Sequence, residues 1–329
     1  MLQRNSLVLL MGLFVASSGA LMLDTCCATE GNASRVVQQI DWKVVPADGA
    51  ISTSGHYYLD HDLKVDRNNG VSILADNVTL DLRGHALRFT GKPHAGTYGI
   101  TADNRKGITI ANGHLGGFWF DIHCTQNQGL RIREIMFDDI PYIGANVAQS
   151  KDVVICDNVF ENFRYDLPKA KDSTYVIGIN IGAKDAVICN NRFVAQPKAG
   201  TAREVGVETV FILFSANVSK NCVVTQNELV ASELLPRSYG VWVATDAQAT
   251  IANNSIRNMK YGVCLASEAS ALICFNRFAA DETKTKPMET FGISASGAKD
   301  IVNLKNKFEG VSIRAALPQG AAGQHVNRS

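Results

Sequence analysis

Net charge is nearly absent from this sequence: 32 Lys and Arg stand against 31 Asp and Glu in 329 residues, a formal charge of +1. So even a balance excludes the concentrated basic face of a nucleic-acid-binding protein. Charged residues make up only 19% while hydrophobic ones reach 46%, which excludes a disordered chain. The eight cysteines contain no CxxC pair and no Cys/His cluster with zinc spacing. A chain this long holds itself together by burial, so no disulfide framework is expected. The dinucleotide glycine fingerprint, the P-loop, H-E-x-x-H and G-x-S-x-G are all missing, which removes the cofactor and hydrolase chemistries they carry. Sustained 3.6-residue periodicity is missing too, so helices are not the building unit.

One long uncharged run is present, and it opens the chain. Arg4 precedes Asn5 to Leu23, centred on Leu7, Val8, Leu9, Leu10, Met11, Leu13, Phe14 and Val15, with small Ser17, Ser18, Gly19 and Ala20 following. This reads as a secretory signal peptide over 1–28. An uncleaved anchor is the alternative, since 19 uncharged residues just reach spanning length. A lipid-modified Cys26 is disfavoured by the charge of Asp24. The expectation is a secreted or periplasmic protein without membrane contact after cleavage. Val36, Val37, Ile40 and Trp42 mark an N-terminal cap over 29–50, helical in part, and 316–329, beginning at Ala316 and without apolar anchors, reads as a loose tail.

Between these ends the chain repeats itself. Val153-Val154-Ile155-Cys156-Asp157-Asn158-Val159-Phe160, Ala186-Val187-Ile188-Cys189-Asn190-Asn191-Arg192-Phe193 and Ala271-Leu272-Ile273-Cys274-Phe275-Asn276-Arg277-Phe278 are copies of one unit, with weaker copies ending at Leu229 and Ile256. A second unit, aromatic or aliphatic then Gly then Ile or Val, alternates with it: Tyr98-Gly99-Ile100, Ile177-Gly178-Ile179, Tyr239-Gly240-Val241, Tyr261-Gly262-Val263 and Phe291-Gly292-Ile293. The closest spacing is 22 residues, from Leu115 to Phe137, and longer intervals contain insertions. Such a period means a solenoid whose units bury their apolar faces only by stacking.

With short strands joined by Asn- and Gly-bearing bends, the chain resembles the right-handed parallel β-helix, pectin-lyase-like superfamily, whose rungs read Val-x-Ile-x-x-Asn-x-Phe. The stretch from Gly70 to His85 is similar to the first coils of that superfamily. The resemblance implies an all-β, single-stranded right-handed parallel β-helix over 51–315. It is specific for fold and weak for function, because that solenoid carries lyases, hydrolases, epimerases and adhesins.

Stacking sorts residues into columns. Asn158, Asn191, Asn227, Asn254, Asn276 and Asn306 are read as a structural amide ladder at the bend. Ile155, Ile188, Val224, Ile251 and Ile273, with Val153, Ala186, Cys222, Ala249 and Ala271, are assigned to the core by alternation. The intervening Val154, Val187, Val223, Thr250 and Leu272, then Cys156, Cys189, Thr225, Ala252 and Cys274, form an outward apolar stripe. Either the insertions at 164–174, 194–210 and 230–238 cover it, which is favoured, or a partner chain does, making an oligomer. Cys156 and Cys189 share a register and are read as stacked free thiols.

The candidate site is the outer face of the Gly-Ile strands. Trp119, Asp121, His123, Tyr142, Asn146 and Asn180 are expected to gather there, with Trp242 further along. Aromatic planes beside carboxylate, imidazole and amide groups suit a polysaccharide. The plainer alternative is ordinary aromatics and a neutral, hydrogen-bonded histidine. A uronate lyase or epimerase needs a base, His123 or Tyr142, and a cation from Arg131, Arg133 or Arg164. A glycoside hydrolase needs two carboxylates, such as Asp121 with Asp138 or Asp139. The hydrolase branch is marked by Asn-Thr-Asp, Gly-His-Gly and Arg-Ile-Lys segments, whereas this chain has only Gly84-His85-Ala86, Gly113-His114-Leu115 and Arg131-Ile132-Arg133. Proton abstraction involving His123, Asp121, Tyr142 and Arg164 is the leading enzymatic reading, with Trp119, Asn146, Asn180, Trp242, Arg131 and Arg133 binding substrate. A non-catalytic carbohydrate-binding or surface-interaction protein is the alternative. No cofactor is expected; calcium among Asp121, Asp138 and Asp139 is a candidate that no ligand spacing supports.

Overall fold

The computed structural model describes residues 40–164, 175–195, 207–216, 218–280 and 290–316. The predicted signal peptide, the first half of the predicted cap and the tail beyond Ala316 lie outside the described residues. Over the described residues from Asp41 to Ala316 the chain winds as a right-handed parallel β-helix, and every strand pairing among them is parallel. Among the described residues there is no helix. Of the described part of the cap, 40–50, Trp42–Val44 is a strand in register with His56–Tyr58 and belongs to the first coil, and Ala50 opens the strand Ala50–Ile51.

Three ladders of strands run the length of the solenoid. The first stacks Tyr98–Asp103, Phe120–Thr125 and the opening parts of Ile143–Cys156 and Tyr175–Cys189. The second stacks the closing parts of those two strands on Cys222–Thr225 and Gln248–Ala252. The third stacks Val159–Glu161, Arg192–Ala195 and the start of Glu228–Val243.

A bend of fixed chemistry joins the second ladder to the third. Glu134, Asp157, Asn190, Gln226, Asn253, Phe275 and Lys305 all lie at φ between 50° and 60°. That left-handed residue reverses the chain, and on most coils the next residue is an inward-facing Asn. Asn227 shows what this Asn does. Its Oδ1 accepts from the Asn191 backbone N–H at 2.9 Å and from Asn191 Nδ2 at 3.0 Å. Its own Nδ2 donates to the carbonyls of Ile188 and Thr225 and to Asn254 Oδ1, each at 3.0 Å. The same pattern runs from Asn158 to Asn306, so buried turn amides are satisfied from coil to coil.

Two residues beyond each Asn an apolar side chain fills the axis. Phe137, Phe160 and Phe193 stack with centroids 4.3 and 4.6 Å apart and planes within 5°. Leu229, Ile256, Phe278 and Phe308 continue the column. Ile155, Ile188, Val224, Ile251 and Ile273 are fully buried, as the alternation requires, with Val153 and Ala186 beside them.

The stripe read as outward, from Val154 to Cys274, lies on the second ladder and is mostly half-buried, with Ala252 and Cys274 buried. Insertion residues 165–174 and 196–206 lie outside the described residues. Their anchors, Arg164 to Tyr175 and Ala195 to Val207, join the third ladder to the first. What covers the stripe therefore lies outside the described residues for the first two insertions, while 230–238 continues the strand Glu228–Val243.

Replacing Asn227 by Ala strands donors and acceptors on two neighbouring coils at once. A loss of roughly 2–4 kcal/mol in urea unfolding is expected; a loss below about 0.5 kcal/mol would mean the amide ladder does not carry the bend.

Candidate active site on the first sheet

The side chains that converge do so because strands of the first ladder are in strict register. His123 has Thr101 as Cα partner on one side and Asn146 on the other. Asn146 pairs with Asn180, Asn180 with Leu213, and Leu213 with Trp242. These form one outward column, and hydrogen bonds link its members. Ser215 Oγ donates to Asn180 Oδ1 at 3.0 Å, Asn180 Nδ2 donates to Asn146 Oδ1 at 2.7 Å, and Asn146 Nδ2 donates to His123 Nδ1 at 2.8 Å.

That directed chain sets the tautomer of His123. Nδ1 accepts, so a neutral ring carries its proton on Nε2. The ring is neutral because burial holds its pKa below the usual 6.5, with Asp103 opposing. Tyr98 and Phe120 flank the imidazole, each with ring centroids 5.1 Å away.

Beside the polar column lies an apolar strip that sequence reasoning did not assemble. Ile143, Ile177 and Val210 are buried on the outer side of the sheet, packed under Phe120, Tyr142, Tyr175, Leu213, Tyr239 and Trp242. Trp242 stacks on Tyr239 at 4.9 Å and meets Tyr175 at 5.7 Å. The signal was present in the aromatic residue before Gly in the second repeat unit, which always points out. Polar column and aromatic rim together can hydrogen-bond hydroxyls and stack on a ring face.

Asp121 corrects the sequence reading. It was expected outward beside His123 but is fully buried. Its column is otherwise glycine on most coils, and a Cβ at Gly144, Gly178 or Gly262 would lie 2.5–3.1 Å from a phenylalanine ring of the core. The two-residue alternation thus breaks at the Gly, and this position faces the interior. Asp121 Oδ1 accepts from the Phe118 N–H at 3.3 Å, while Oδ2 has no partner. Burial, then the Phe118 hydrogen bond opposing it, and the nearby Asp139 and Asp138 charges leave the carboxyl well above its ordinary 3.8.

The same slip places the residue two before the Gly at a closed corner. Trp119 is only 7% exposed, with its indole against Tyr142 at 4.8 Å, so its face is not open to a sugar. Tyr142 remains half-buried at the rim.

The arginines do not join the column. Arg131 and Arg133 belong to the second ladder, where Arg131 contacts Asp152 and Arg133 contacts Glu134 at 2.7 Å. Arg164 lies at the corner against Asp139 at 3.6 Å. Asp138 is held by Arg88 at 2.9 Å and Asn162 at 2.7 Å, which keep its carboxyl low against burial. The hydrolase pairing of Asp121 with Asp138 is therefore between a buried acid and an ion-paired carboxylate. Among the described residues no three His, Cys, Asp or Glu side chains converge as a metal site, and the calcium candidate at Asp121, Asp138 and Asp139 gains no support.

Asp121 makes stability depend on pH. Folded and unfolded states are both neutral below about pH 3.8; above it the unfolded carboxyl ionises while the folded one resists, so stability falls as pH rises toward neutral. Asp121→Asn should remove this slope and exceed the parent in stability at pH 7, with the gap closing in acid; parallel pH profiles would show the carboxyl to be ionised in the fold. For His123, nitrogen-15 NMR should report the Nε2–H form, and an Nδ1–H signal would reverse the direction assigned to the amide chain.

Solved structures share the fold. An alginate lyase from Paenibacillus sp. str. FPU-7 superposes with a TM-score of 0.54 at 12% identity, covering 83% of this chain and 99% of that one. The tailspike protein of E. coli bacteriophage HK620 in complex with a pentasaccharide gives 0.51 at 9% identity over 82% and 58%. DFA-IIIase from Arthrobacter chlorophenolicus A6, without its lid and in complex with GF2, gives 0.50 at 13% identity over 77% and 70%. At these identities the likeness is one of fold. No curated protein matches the chain. A family model described as "Periplasmic copper-binding protein (NosD)" matches residues 86–290, more than half of the chain and every coil that builds the His123 column. The chain is a member of the NosD family.

Proposed function

We propose that this protein is a periplasmic or secreted β-helix that binds a carbohydrate chain along the His123–Asn146–Asn180 column of its first sheet. The observation that carries the reading is the directed Ser215–Asn180–Asn146–His123 hydrogen-bond chain beside the aromatic-rimmed strip of Ile143, Ile177 and Val210. Adjacent coils repeat at about 4.8 Å, so a polymer lying across them meets a polar group on each coil and an aromatic ring at its flank. His123 contributes as a donor through Nε2–H and Asn180 as an amide, while Tyr142, Tyr239 and Trp242 supply ring faces. The periplasmic description of the family agrees with the predicted signal peptide, and the alginate lyase and the pentasaccharide-bound tailspike use the same fold on glycans.

Binding is favoured over proton abstraction by the site's own chemistry. A lyase base needs a free lone pair and a nearby cation for the substrate carboxylate. Here Nδ1 is occupied by Asn146, and Arg131 and Arg133 lie on another ladder.

Affinity electrophoresis through gels containing uronate or neutral polysaccharides should retard the protein on at least one polymer. Asn180→Ala and Trp242→Ala should each weaken that retention about tenfold. No retardation on any polymer would remove the reading. Unsaturated-uronate absorbance that disappears in His123→Ala would replace it with the lyase.

A further inference from the structure

Copper is implied by the family description, and the described residues offer it one kind of chemistry. No convergence of three His, Cys, Asp or Glu side chains is found among them, so the sets of three or four protein donors that hold cupric or zinc ions are not assembled there. Two soft thiolates instead suit the cuprous ion, whereas zinc takes four ligands. Cys156 and Cys189 are Cα partners on adjacent coils of the second ladder, both free and half-buried.

The geometry favours a bridging ion over a bond between the sulfurs. Two parallel side chains stand apart by the strand spacing of about 4.8 Å. Two metal–sulfur bonds of about 2.3 Å laid end to end span nearly that distance. A disulfide, at about 2.05 Å between sulfurs, would require the parallel side chains to converge. Arg133 precedes Cys156 in the column and Thr225 follows Cys189, while Asn190 Nδ2 donates to Asp157 Oδ1 at the adjoining bend.

We propose that Cys156 and Cys189 form a two-thiolate site for one cuprous ion on the second ladder, separate from the His123 column. On binding, two S–H bonds break and two S–Cu bonds form. Both protons pass to solvent, and copper enters and remains as Cu(I), so no oxidant or reductant is consumed.

The reduced full chain, titrated anaerobically with Cu(I) in competition with a chromogenic chelator, should take up one ion. Cys156→Ser and Cys189→Ser should each lower the affinity at least about tenfold, equal to about 1.4 kcal/mol. Cys274→Ser, further along the same column, should leave it unchanged. Independently of affinity, Cu(I) should protect Cys156 and Cys189 from iodoacetamide in peptide mapping, and Zn(II), which requires four ligands, should not. Undiminished uptake by the doubly substituted chain, no uptake by the reduced parent, equal protection by Zn(II), or a native disulfide joining the pair would each overturn the site.

Discussion

In-register stacking of parallel coils is the constraint on which the rest of the molecule depends, and the buried amide at the bend enforces it. Each ladder Asn bonds to the next coil through both side chain and backbone. A coil that slipped by one residue would strand several buried polar groups, at about 1–3 kcal/mol for each. Register in turn aligns the phenylalanines, whose near-parallel rings stack at 4.3 and 4.6 Å along the axis. Polar satisfaction and packing therefore point to one winding.

Once register is fixed, function becomes a matter of columns. His123, Asn146 and Asn180 are 23 and 34 residues apart in sequence yet lie within hydrogen-bond reach. The Cys156 and Cys189 pair is brought together by the same stacking on another face. One winding thus presents two chemically different surfaces. The first is polar and aromatic. The second carries soft sulfur.

Legibility from sequence followed the strength of the repeat. The ladder from Asn158 to Asn306, the inward aliphatics and the phenylalanine column could be read because each coil states the same residue at the same place. The site was only partly readable. His123, Asn146, Asn180 and Trp242 obey simple two-residue alternation and do share a column. Asp121 and Trp119 do not, because glycine marks a break in the alternation whose direction appears only when the core phenylalanines meet it. Arg131 and Arg133 follow Asp121 closely in sequence, but an intervening bend carries them to another ladder.

The sequence by itself determined the fold class, the repeat, the bend chemistry and the composition of the core, since these need only local pattern and the rule that buried groups must be satisfied. Tertiary structure alone decided that Asp121 turns inward, that Nδ1 of His123 is occupied, and that Ile143, Ile177 and Val210 make an apolar strip on the outside of the sheet. The physical reason is that each of these depends on which side of the backbone a Cβ leaves and on what the neighbouring coil places opposite, and neither is written within a single repeat.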